Sequence, residues 1–269
     1  MGARVLCQAM NLSFETFAQT GHSLRMRALI LLLCIFCLSG KPAWAATQVD
    51  LELVLAADIS FSVDEEEAKR QREGYLAALT SEEVIDAILS GPNGSIAIAY
   101  VEWADDSAQY LVADWTLIRT KEDALAFADI LRAAPFVQGR YTAIGSAITA
   151  CVDLIEQNQF DGFRKIIDIS GDGPQNQGKS LPLARALAAG HDITINGLPV
   201  LPKDENPWRP RVNVDVEQYY RENVIIGSAA FVTPAEDFEA FQEAILKKLI
   251  LEIAWVPGAQ GTDSAKAAP

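Results

Sequence analysis

Residues 49–63, Val-Asp-Leu-Glu-Leu-Val-Leu-Ala-Ala-Asp-Ile-Ser-Phe-Ser-Val, constrain the fold more than any other stretch of the chain. Leu51, Leu53 and Leu55 alternate with Glu52 and Val54, and Ala56 and Ala57 complete an almost wholly apolar run. A surface strand keeps one face polar. This run keeps neither, so it reads as a strand covered on both sides, as in a parallel sheet layered between helices. The run stops on Asp58, Ser60 and Ser62 follow at a spacing of two, and Asp64-Glu-Glu-Glu-Ala-Lys then opens a helix. One carboxylate and two hydroxyls therefore share a strand-to-helix loop, on the sheet edge where open α/β folds bind ligands. All three are hard oxygen donors, suited to Mg²⁺, Mn²⁺ or Ca²⁺ rather than Zn²⁺. A plainer reading makes Ser62 a helix N-cap in a capping box with Glu65, and Asp58 a turn residue.

The remaining pattern alternates strands with helices. Helices are expected over 65–79, from 80 into the next turns, and over 121–133, 142–158, 180–189, 215–223 and 236–255. Strands are expected over 95–103, 108–115, 164–170, 192–198 and 228–232. The gap Ala104-Asp-Asp-Ser107 suits a hairpin, so the strands on either side of it should pair antiparallel at one edge. The whole reads as one doubly wound α/β domain over 46–255, with a mostly parallel sheet and one antiparallel edge strand. Residues 199–213, with Trp208, Arg209 and Arg211, read as an irregular excursion and a candidate contact surface. Residues 256–269 read as a disordered tail.

The first 45 residues read as a signal peptide. An apolar run over 28–38 follows Arg25 and Arg27, and Ala43-Trp-Ala45 is a small-x-small cleavage site. Met26 is the more ordinary start for such a peptide. The apolar run is too short to span a bilayer as a helix, so no stable membrane anchor is expected after cleavage. The product should be periplasmic or secreted. Removing a segment of net charge +3 takes the chain from −14 to −17. So acidic a surface argues against nucleic acid as a partner. Cys7, Cys34 and Cys37 leave with the peptide, and Cys151 remains alone on the apolar stripe Ile144, Ile148, Cys151, Ile155. It reads as a buried, inert thiol.

Three loops on the carboxyl edge carry notable oxygens: Asp58-Ile-Ser60-Phe-Ser62, Gly139-Arg-Tyr-Thr142, and Ser170-Gly-Asp172-Gly173. Taken singly, Thr142 reads as an N-cap and Asp172 as a turn residue. Together, two carboxylates and three hydroxyls fill most of an octahedral Mg²⁺ site, with waters in the rest. Two helix N-termini would face it and, with the cation, favour an anion in the open position.

Asp58-Ile-Ser-Phe-Ser62, Thr142 before a helix, and Asp172 in an Asp-Gly step resemble the von Willebrand factor A domain and its metal-ion-dependent adhesion site (MIDAS). Tyr100-Val-Glu-Trp103, the 169–174 stretch Ile-Ser-Gly-Asp-Gly-Pro and the 195–199 stretch Ile-Asn-Gly-Leu-Pro look like an uncharacterised bacterial family of exported proteins with this fold. The resemblance implies that Ser60, Ser62 and Thr142 ligate a divalent cation directly, Mg²⁺ foremost and Mn²⁺ or Ca²⁺ next. Asp58 and Asp172 would act partly through waters, and the acidic group of a protein partner would complete the shell. Ser170-Gly171 stands where many members have a hydrophobic residue and Thr, and Tyr141 where Gly is common.

Two other chemistries compete. Residues 173–180, Gly-Pro-Gln-Asn-Gln-Gly-Lys-Ser, satisfy the Walker A pattern, with Lys179 and Ser180 in the phosphate- and Mg²⁺-binding places. Pro174 removes one amide from such a cradle. A metal-dependent hydrolase is the other. However, the one histidine after the signal peptide, His191, falls between a helix end and a strand start, on the opposite sheet edge from Asp58. Glu102 and Asp105 follow a strand toward the site and read as solvated loop acids.

Overall fold

In the computed structural model, which describes residues 46–201, 214–227, 229–237 and 240–254, a short strand β1 (Thr47–Val49) leads into β2 (Leu51–Asp58). Every residue of β2 is buried, which suits the central place it takes. With β3 (Ile96–Trp103), β4 (Gln109–Ile118), β6 (Lys165–Gly171) and β7 (Ile193–Pro199), it forms a sheet of order β4-β3-β2-β6-β7. The β2–β3, β2–β6 and β6–β7 ladders are parallel. Only β4, at the edge and partly exposed, pairs antiparallel, with β3. The doubly wound sheet with one antiparallel edge strand is therefore as expected. A two-stranded parallel pair of β1 with β5 (Phe160–Gly162) was not foreseen, since three-residue strands carry no period.

Helices cover both faces because alternate residues of β2 face opposite ways. Leu51, Leu53, Leu55 and Ala57 pack in one core with α1 (Glu65–Leu79), α2 (Glu82–Leu89), α3 (Lys121–Ala133) and the last helix, α7 (Phe241–Ile253). Val54 and Ala56 pack in the other with α4 (Ile144–Glu156), α5 (Leu181–Gly190) and α6 (Val216–Tyr219), which runs into a π turn over Tyr220–Val224. Cys151 is buried in this second core, and burial pushes its thiol up to about 12, as an inert cysteine requires.

Two expectations change. The strand over 228–232 reduces, among the described residues, to isolated bridges: Val232 beside Gly197 and Ala235 beside Val200. Pro199 lacks the N–H a continuous ladder needs there, between the bonds that Thr233 and Ala235 donate to Gly197 and Pro199. The last helix begins at Phe241 rather than at residue 236, with Asp237 Oδ1 accepting the Ala240 amide just before it. The excursion's residues 202–213, the signal peptide, Phe238 and the tail lie outside the described residues. Among those described, no helix is long and apolar enough to cross a membrane.

A buried ionic cluster ties α7 to the sheet. Lys248 is fully buried, lies 2.7 Å from Asp168 Oδ1 on β6, and pairs with Glu252 one turn along its own helix. Asn196 Nδ2 on β7 donates to Glu252 at 2.7 Å, and Arg164 donates to the main-chain carbonyls of Glu252 and Ile253. One lysine between two buried carboxylates leaves an excess negative charge. Burial, aided by Glu252 and opposed by Lys248, raises Asp168 to about 7. The folded chain thus keeps a proton that an unfolded aspartate releases near 3.8. The stability from that proton is complete below the lower value and is lost as pH rises through the higher one. Denaturant melts at pH 6 and pH 8 are expected to differ by roughly 1 kcal/mol in favour of pH 6. Asp168→Asn, which cannot ionise, is expected to flatten that difference.

Candidate metal centre

The carboxyl end of β2 delivers Asp58 into a fully buried position, directly opposite Trp103 of β3. Its Oδ1 accepts the Ser60 amide at 2.7 Å. The loop is then free of helix-capping duty. Asp64, not Ser62, caps α1, in a box with Glu67 rather than Glu65. The reason is local: two residues remain between Ser62 and the first helical turn, and Asp64 stands where the free amides are. Ser62 Oγ instead donates to Asp172 Oδ1 at 2.7 Å, and Ser60 Oγ lies 3.2 Å from Ser62 Oγ. Four of the five residues singled out from the sequence are thus one hydrogen-bonded string.

Thr142 comes to the same edge through the loops. It is not a cap either: α4 starts at Ile144 behind Ala143, with no side-chain cap of its own. The first amides of α4 are served from the third loop, where Gln175 Oε1 accepts the Gly145 amide at 2.7 Å. Asn176 Oδ1 accepts the Thr142 amide, and the Thr142 carbonyl accepts the Asn176 amide in return. The Gly139 amide donates to the Ile59 carbonyl at 2.8 Å, and Gln138 Nε2 donates to the Val63 carbonyl at 2.7 Å. All three loops are thereby bound to one another. Thr142 is buried, with 6 % of its surface exposed, and Asp172 with 3 %.

The electrostatics are those of a site that wants positive charge. Asp58 is held well above the usual carboxylate range, first by burial and then by the charge of Asp172. The Ser60 amide and hydroxyl and the Asp172 amide pull the other way. Asp58 Oδ2 nonetheless has no hydrogen bond of good geometry among the described residues. Two buried carboxylates so close repel unless a proton or a cation relieves them. The donor set of two carboxylates and three hydroxyls fits a hard divalent cation that keeps some of its waters. Among the described residues no three of His, Cys, Asp and Glu come together to hold a metal, so a softer, all-acid or imidazole site is not what these loops build. Two concave spaces, of about 280 and 180 Å³, lie elsewhere, and none of the five residues lines either one.

The structure also explains the two departures around Asp172. Ser170 Oγ accepts from Gln71 Nε2 and Tyr75 Oη of α1, each at 3.1 Å. Gly171 admits Tyr220, since a Cβ there would lie 2.7 Å from Tyr220 Oη and 2.9 Å from Asp58 Oδ2. Glu102 is not a solvated acid, whereas Asp105 is half-exposed in its loop. Glu102 is buried in a two-pronged ion pair with Arg72, and Asp105 accepts the amides of Arg140 and Tyr141. The available signal for Glu102 was its place inside an apolar strand.

The Walker A loop spends its amides inside the protein. Gln175, Asn176, Gln177 and Lys179 donate from the backbone to Tyr219 Oη, to the Thr142 carbonyl twice, and to Ser146 Oγ. A phosphate cradle needs those donors turned outward. His191 sits at the end of α5, 3.1 Å from Glu156, on the amino edge. It is across the sheet from Asp58, as expected.

The description "Protein of unknown function (DUF1194)" belongs to the family that matches residues 48–257. No curated protein matches the chain. Among solved structures, the pilus adhesin SpaC from Lactobacillus rhamnosus GG, in its open conformation, is similar at 14 % identity and TM-score 0.56, covering 77 % of this chain and 30 % of its own. Proximal thread matrix protein 1 from the mussel byssus, with a zinc-occupied MIDAS motif, is similar at 16 % identity and TM-score 0.53, covering 76 % and 48 %. A von Willebrand factor type A protein from Catenulispora acidiphila is similar at 14 % identity and TM-score 0.53, covering 77 % and 43 %. The chain spans less than half the length of each, and at these identities the likeness is one of fold: a von Willebrand A-like domain.

The packing around Gly171 makes a direct prediction. Gly171→Ala is expected to cost about 1–3 kcal/mol in a denaturant melt, because the new methyl meets Tyr220 and Asp58. Gly173→Ala, with nothing within 4 Å of its Cβ, is expected to stay within about 0.5 kcal/mol.

Proposed function

The chain belongs to the DUF1194 family, and we propose that it is an exported von Willebrand A-like binding module that recognises a protein partner through a divalent cation. Ser60, Ser62 and Thr142 would hold the cation, with Asp58 and Asp172 beside it. The cation supplies an open coordination position that an acidic group of the partner fills. The observation that carries this reading is the buried Asp58–Asp172 pair, joined by the Ser60–Ser62 hydroxyls and left with an unpaired Asp58 oxygen. Such an arrangement destabilises the bare protein and is relieved by a cation.

Partner contact would fall on the rim. Phe61, between the two serines, is 64 % exposed, and Tyr141, next to Thr142, is 41 % exposed with Arg140 stacked 5.7 Å from its ring. An aromatic rim adds the area that one carboxylate–cation contact lacks. Cleavage after Ala45, release from the membrane and a periplasmic or secreted location complete the proposal, with 46–255 as the working domain and 256–269 as a tail.

A ligand that binds only the folded chain raises its melting temperature. Thermal unfolding with saturating Mg²⁺, Mn²⁺ or Ca²⁺ is expected to shift the wild type upward by the equivalent of about 2–3 kcal/mol at a hundredfold excess over Kd. Asp58→Ala combined with Ser60→Ala should abolish the shift. Zn²⁺ belongs in the series because the mussel protein of similar fold is described with zinc in its MIDAS motif. A wild type that no cation shifts would sink the reading.

A further inference from the structure

Asp58 and two residues near it in the fold each carry a buried polar atom without a hydrogen-bond partner among the described residues: Asp58 Oδ2, Tyr220 Oη and Trp103 Nε1. Buried polar groups are nearly always paired, so three on neighbouring residues require an account. Asp58 and Trp103 face each other in the parallel register of β2 and β3. Tyr220 Oη and Asp58 Oδ2 both fall within 3 Å of the place a Cβ at Gly171 would take.

Tyr220 is seated by design of the surrounding backbone. Gly171 on β6 clears its hydroxyl, and Gly197 on β7 clears its ring, since a Cβ there would lie 2.8 Å from Tyr220 Cδ1. The π turn over Tyr220–Val224 starts at this residue, and such turns widen a helix locally to redirect a side chain. Its neighbour Tyr219 grips the third loop, with Oη accepting the Gln175 amide at 3.2 Å. The element is thus fixed at both tyrosines against the loops that carry the site.

The chemistry of the three atoms is complementary. An indole N–H only donates, a phenol donates, and a carboxylate oxygen only accepts. An indole nitrogen does not ligate a hard cation, so Trp103 and Tyr220 suit Asp58 itself. Resting on the cation site proposed above, we propose that Tyr220 is its positioning residue: the hydroxyl donates to Asp58 Oδ2, directly or across one water shared with Trp103 Nε1. This holds Asp58 oriented while its other oxygen stays on the Ser60 amide. Burial and the Asp58 and Asp172 charges keep the Tyr220 phenol well above its usual range, so it remains a donor. Partners of this kind around metal ligands typically set 10–100-fold in metal affinity.

The test is Tyr220→Phe, which keeps the ring in its slot and removes only the hydroxyl. Mg²⁺ and Mn²⁺ are titrated calorimetrically into the full chain, and melts are run in EDTA. Tyr100→Phe is the control: it deletes another buried, unpaired hydroxyl, packed in the opposite core. The expected result is cation binding about 10–100-fold weaker in Tyr220→Phe and unchanged in Tyr100→Phe. The EDTA melt of Tyr220→Phe should fall only by the loss of the hydroxyl's bond to Asp58, because the ring still fills its slot. Wild-type affinity in Tyr220→Phe overturns the proposal. So does an equal loss of affinity in Tyr100→Phe, which marks a general effect of removing a buried hydroxyl. A wild type that binds no cation overturns the site itself, and this role with it.

Discussion

Asp58 is a carboxylate carried to full burial by the strand that precedes it. Nothing about β2 permits the chain to turn back earlier, because each residue from Leu51 onward is covered by helices or by neighbouring strands. The strand ends with its charge in a low-dielectric place beside a second carboxylate, Asp172. Everything on that edge answers to this placement: the Ser60 amide on Oδ1, the Ser62 hydroxyl bridging toward Asp172, and the glycine at 171 that leaves Asp58 room.

Loops that present such a group must not collapse onto it or drift from it. Here they are held by each other. Backbone bonds join Ile59 to Gly139 and Thr142 to Asn176, while Gln138 and Gln175 reach across as side-chain ties. The helix starts are served by residues other than the candidate ligands: Asp64 for α1 and Gln175 for α4. Capping is a common fate for serine and threonine at a strand-to-helix turn. That other groups take that duty keeps the hydroxyls of Ser60, Ser62 and Thr142 out of helix capping.

A second buried charge cluster occupies the other face of the sheet and has a different character. Lys248, Asp168 and Glu252 neutralise one another in part, Asn196 donates to Glu252, and Arg164 holds the main-chain carbonyls of Glu252 and Ile253. A buried ion pair often contributes little net stability, yet breaking it by removing one partner is costly. Its effect here is positional, since it sets the register of α7 on β6 and β7.

The sequence by itself determined the layered α/β fold, the central strand and its edge partner. Those follow from apolar runs and helical periods, which are local and strong. It also marked Asp58, Ser60, Ser62, Thr142 and Asp172, because oxygens repeated after strands are legible one loop at a time. It misassigned Ser62 to a possible cap and Glu102 to solvent, since which donor serves which helix end, and which acid finds an arginine, depends on groups far along the chain. Asp168, Lys248 and Glu252 passed unnoticed within apolar stripes, where a charge gives no sign of its partner. Tyr220 was decided by tertiary structure alone: its slot needs two glycines from neighbouring strands, brought together only when β6 and β7 pair.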